Sequence, residues 1–148
     1  MQGRFVCHSR GVWPQFRALC FSLLLIGMVT LIPFRFATTP VQELDYSLLT
    51  SRSALEILGN ICLFAPLGCA LAGFAFRAQR RARLLWWGAA VAFGAVVSVA
   101  VEWLQCYLPR NPGLSDVVSN TFGAALGARC RLWPDRWPMV WWRIGLVA

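Results

Sequence analysis

Five side chains able to carry charge, move protons or make paired hydrogen bonds fall within 19 residues of an otherwise apolar stretch: Glu102, Gln105, Arg110, Asp116 and Asn120. Such groups are costly beside hydrocarbon and persist there chiefly when they pair, line a cavity or act on a ligand. Two chemistries suit the set. In the first, the planar guanidinium of Arg110 grips a phosphate or carboxylate through parallel N–H bonds, while Glu102, Gln105 and Asn120 orient the rest of the ligand. In the second, Glu102 and Asp116 are the acid–base pair of a membrane-embedded enzyme acting on a lipid-linked substrate. The chain shows no serine–histidine nucleophile, phosphate loop or nucleotide motif. Its lone His8 stands beside Cys7, its six cysteines form no Cys-x-x-Cys, and neither a metal site nor a cofactor is expected. Binding is therefore preferred over catalysis.

These residues need elements to hold them, and composition says in what solvent. Of 148 residues, 58% are hydrophobic and 14% charged, against about 25% charged in soluble domains. The expected class is an all-α integral membrane protein, a four-helix transmembrane bundle. The predicted spans are about residues 18–34, 57–76, 84–108 and 114–133, each near the roughly 20 residues a bilayer requires. The net charge of +8 does not indicate nucleic acid, because the fourteen arginines are scattered between hydrophobic runs. Their distribution instead sets orientation. Eleven lie in the first arm, the second connection and the tail, and three (Arg35, Arg52, Arg110) lie on the other side. The positive-inside rule then puts both termini in the cytoplasm of a cell whose inner membrane the chain crosses several times. Residues 1–17 read as a basic cytoplasmic arm, residues 18–133 as the transmembrane domain, and residues 134–148, with Trp137, Trp141 and Trp142, as an interfacial tail. The first span is a poor signal peptide, its core being too long and Arg35-Phe-Ala37 a poor cleavage site.

With that topology the polar groups converge. The second span enters from outside, so Asn60 lies one turn beyond Glu56. The third exits outside with Glu102 and Gln105 in its last two turns. The fourth enters outside with Asp116 and Asn120 in its first two turns. Gly94, Ser98, Glu102 and Gln105 share one helical face, as do Asp116, Asn120, Gly123 and Gly127. The expected site is an outward-facing polar pocket containing Asn60, Glu102, Gln105, Arg110, Asp116 and Asn120.

The pattern Asn60-x-x-x-Phe64-x-Pro66-x-Gly68, then Glu102-x-x-Gln105, then Arg110 and Asp116-Val-Val-Ser-Asn120-Thr-x-Gly123-x-x-x-Gly127, resembles the signature of VanZ-like membrane proteins. The resemblance covers about Leu55 to Arg131. It implies a small polytopic membrane protein from a family associated with glycopeptide (teicoplanin) resistance, and it supplies no reaction. The ligands in view are membrane lipids, a lipid-linked cell-wall precursor or a glycopeptide.

Several of these residues also have plain structural roles available. Ser53-Ala-Leu-Glu56 matches a capping box, which accounts for Glu56. Asp116 suits a helix start, where the dipole favours an acid. Glu102 and Arg110 have a mutual salt bridge open to them, Gln105 and Asn120 can bridge helices, and Gly123 with Gly127 suits close packing. Oligomeric state is not legible.

Overall fold

Each helix starts and stops where the sequence supplies a signal. The computed structural model describes residues 12–46, 53–75 and 79–133, and the arm before residue 12 and the tail from 134 lie outside the described residues. Helix α1 spans Trp13–Leu31 and has Pro14 in its first turn, where a missing N–H leaves no broken bond. It ends at Ile32, extended ahead of Pro33, as the residue before proline must be. These two prolines shift the helix toward the N-terminus relative to the expected 18–34, and residues 13–17 of the expected arm are helical.

Helix α2, Ala54–Gly73, is opened by Ser53. The Ser53 hydroxyl accepts from the Glu56 amide at 3.2 Å, and the Ser53 amide donates to Glu56 Oε2 at 3.1 Å. Both halves of the capping box are formed, and the helix runs through Pro66. Ser53→Ala is expected to cost about 1 kcal/mol, read as a lower thermal midpoint in detergent; an unchanged midpoint would remove the cap from the list of stabilising contacts. Helix α3 covers Arg80–Gln105 and α4 covers Leu114–Leu132. Helix α3 begins before the hydrophobic run because arginine is a good helix former. It stops short of residue 108 because Tyr107 and Leu108 turn off ahead of Pro109.

Packing is closest between α2 and α4, where glycines let the two backbones meet. A Cβ on Gly68 would strike the backbone of Ala124, one on Gly123 that of Ile61, and one on Gly127 that of Ala65. Small residues at such crossings are how helices associate when no hydrophobic drive separates them from lipid. Helix α3 closes against this pair through a cluster of Ala72, Ala75, Ala90, Ala128 and Leu132. Helix α1 is held by Ile26, packed with Phe64, Leu67 and Val101. Beyond the ends of α3 and α4, Trp133 lies between two arginines, with the guanidinium of Arg83 5.8 Å and that of Arg129 5.6 Å from its ring centre.

At the other end, the segment after α1 crosses the α3–α4 turn and is fastened to it by main-chain bonds. Ala37 N–H donates to the Tyr107 carbonyl at 2.9 Å, and Val41 and Gln42 N–H both donate to that of Cys106. Asp45 pairs with Gly113 in an isolated parallel bridge, its N–H donating to Pro112 O and its carbonyl accepting from Leu114 N–H. Leu114 opens α4, so this bond satisfies one of the amide donors a helix start leaves orphaned.

The outward surface is apolar. Phe21, Leu24, Leu55, Leu85, Val96 and Trp103 are all exposed, a surface suited to hydrocarbon. Three helices, α1, α2 and most of α3, are long and apolar enough to cross a membrane. Helix α4 is less apolar because its buried face is spent on neighbours: Ser119, Asn120, Gly123, Ala124 and Gly127 are all covered.

Candidate functional site

All six expected site residues line one cavity of about 740 Å³ at the α3–α4 turn end of the bundle. Helix α2 brings Asn60, half-buried, whose Nδ2 donates to Asp116 Oδ1 at 3.0 Å and to Ser119 Oγ at 3.2 Å. Helix α4 brings Asp116 in its first turn. One turn deeper it brings Asn120, 2% exposed, whose Nδ2 donates to Ser98 Oγ at 2.9 Å. The two polar faces predicted from helical spacing therefore meet directly, Ser98 and Glu102 on α3 opposite Asn120 on α4.

Glu102 is 3% exposed. Its Oε2 accepts from the Gly113 amide at 2.9 Å, which sets the carboxyl at the positive end of α4. Gln105 turns the other way, and its Nε2 donates to the Thr30 carbonyl of α1 at 3.1 Å. Arg110 is exposed at the rim, where Nη2 donates to the Ile32 carbonyl at 3.1 Å. That bond uses one of five guanidinium N–H donors.

The part of α1 is what the sequence reading missed. Leu25, Val29 and Thr30 form one wall of the cavity. Thr30, buried near the end of that helix with its hydroxyl on the Ile26 carbonyl, was the available signal. Ser119, three residues after Asp116 on the same face, was also overlooked. Glu56 makes its capping bond and also lines the cavity.

The cavity has a mouth as well as a floor. Val29 on α1 and Gly59 and Cys62 on α2 are exposed lining residues, and a Cβ on Gly59 would meet nothing within 4 Å. Helices α1 and α2 are joined lower down, at Ile26, Phe64 and Leu67. Their site-end halves both contribute exposed residues to the cavity lining. Among the described residues no three His, Cys, Asp or Glu side chains are grouped to hold a metal ion.

Among the described residues, four helices with apolar exteriors around such a cavity define a small helical membrane protein with a polar chamber at one end. The family model VanZ/LLP1 matches residues 9–133. The chain belongs to the VanZ/LLP1 family. No curated protein and no solved structure matches it significantly.

Proposed function

We propose that the chamber binds the polar end of a cell-envelope ligand: a lipid-linked wall precursor, a lipid head group or a glycopeptide. In this reading all four helices cross the inner membrane, both termini are cytoplasmic, and the chamber faces outward. The observation that carries it is the meeting of all six polar residues around one 740 Å³ cavity that also has an apolar wall. A cavity with both polar and apolar walls fits an amphiphile, since the head group leaves water while the tails stay in hydrocarbon. The arginine distribution supports the orientation. Retention of such a ligand would contribute to envelope maintenance or to antibiotic resistance. Glu102 and Asp116 both hold fixed hydrogen bonds, to the Gly113 amide and from Asn60, an arrangement that suits positioning a ligand.

The test is lipid mass spectrometry of what copurifies. Arg110→Ala is expected to lower the retained envelope lipid roughly tenfold, the worth of about one charge-assisted hydrogen bond. Reporter fusions at residues 109–112 are expected to read as external. A cytoplasmic signal there, or identical lipid content in wild type and variant, would overturn the proposal.

A further inference from the structure

The end of the bundle away from the chamber is basic and bordered by indole rings. Every acid among the described residues, Glu43, Asp45, Glu56, Glu102 and Asp116, lies at the chamber end. At the far end Arg81 and Arg129 are exposed and Arg83 is half-buried, and among the described residues no carboxylate is paired with any of the three. Arg83 and Arg129 rest on Trp133, 5.8 and 5.6 Å from its ring centre. A guanidinium laid on an indole spends its face there and keeps its in-plane N–H donors. Arg83 gives one of them to the Leu132 carbonyl at 3.1 Å, and its Nε is enclosed. Arg129 gives none to a described residue and stands exposed. Orientation in a membrane asks only for arginines somewhere in the loop; it does not account for a guanidinium fixed on a ring. The helix dipole accounts for Arg129 in the last turn of α4, but Arg81 and Arg83 stand at the start of α3, against the dipole.

The surroundings of Arg129 say what kind of anion belongs there. Trp86 and Trp87 come one turn after Arg83, and tryptophans gather at the depth of lipid head groups. From Arg129 an apolar stripe runs back along α4, since Ala125, Phe122 and Val118 share its face by helical spacing. Phe122 and Val118 are exposed and Ala125 is half-buried. From Arg129 to Val118 is about 16 Å along the helix axis, close to the roughly 15 Å of hydrocarbon in one leaflet. We infer that this face binds an anionic phospholipid. The phosphate is held by the in-plane N–H donors of Arg129, with the charges of Arg81 and Arg83 at the same end. One acyl chain lies along Ala125, Phe122 and Val118. A zwitterionic lipid offers the same phosphate but carries an ammonium into a cluster of cations, and it loses the charge match. Free phosphate makes no use of the apolar stripe. This face and the chamber lie at opposite ends of the bundle, so neither assignment depends on the other.

The experiment is native mass spectrometry of the full chain in detergent with an equimolar mixture of dioleoyl phosphatidylglycerol, phosphatidylcholine and phosphatidylethanolamine. The glycerol lipid is expected to be bound about 25-fold over each of the others, a factor of about five for each of Arg81 and Arg129. Arg81→Gln combined with Arg129→Gln, both at exposed positions, is expected to keep the fold and bring that ratio close to one. Arg110→Ala, at the other end, is expected to leave the ratio unchanged. Inorganic phosphate in large excess is expected to leave the glycerol lipid bound. Equal binding of the three lipids by wild type would overturn the assignment, and that result is read without any variant. A preference that survives the double substitution, or that disappears with Arg110→Ala, would overturn it too, the second outcome moving the anionic lipid to the chamber. Displacement by inorganic phosphate would reduce the face to a simple anion site and overturn the lipid assignment.

Discussion

Gly127→Val is expected to destabilise the bundle by about 3 kcal/mol or more, at the upper end of what forced overpacking costs. The reason is the partner atom. A side chain at Gly127 would enter the backbone of Ala65, and one at Gly68 that of Ala124. Backbone cannot rotate away as the end of a flexible side chain can, so relief requires α2 and α4 to move apart. Separation would strip cover from Ser119, Asn120, Gly123 and Ala124 together. Gly68→Val should behave likewise. The control is Gly88→Ala, where an added Cβ meets nothing and the exchange should stabilise helix α3 by roughly 0.5–1 kcal/mol. Thermal midpoints from fluorescence-detected size exclusion would check all three. A Gly127→Val protein melting with wild type would show that α2 and α4 are not locked at this crossing.

Glu102 carries the second large effect, and its substitutions separate two roles. In Glu102→Ala the buried Gly113 amide loses its acceptor, a loss of about 1.5–3 kcal/mol for a bond to a charged group. Glu102→Gln keeps an acceptor oxygen of the same reach and removes the charge, so the protein is expected to fold while ligand retention falls. Glu102→Asp should restore part of that retention. The measurement is retained lipid per folded protein for each variant, alongside the host's envelope or glycopeptide phenotype. If Glu102→Gln and Glu102→Asp both match wild type, Glu102 serves only to anchor the turn.

The convergence of the site was legible because helix geometry is regular. Given spans and an orientation, a rise of 1.5 Å per residue fixes which polar groups share a depth, and Asn60, Glu102, Gln105, Asp116 and Asn120 do line one chamber. The capping box at Ser53 was equally legible, since its four residues contain the whole interaction. What escaped depends on contacts far apart in sequence. Gln105 and Arg110 both turn to carbonyls near the end of α1, and a carbonyl leaves no trace in a residue's identity. Leu25 and Val29, apolar residues within an uncharged span, line the cavity without any mark in their identity. The modest hydropathy of α4 follows from its buried small-residue face.

The main-chain fastening of residues 37–45 across the α3–α4 turn sets how freely that segment can vary. Its bonds run from backbone N–H to backbone C=O, so they read the path of the chain and ignore which side chain each residue bears. Substitution at Ala37, Val41 or Gln42 leaves the attachments in place unless the newcomer is proline, which has no N–H to give. Length is another matter. One residue added or removed between Ala37 and Asp45 would throw the Asp45–Gly113 pairing out of register and uncover the first amides of α4. The strap across the α3–α4 turn is thus permissive in composition and strict in spacing.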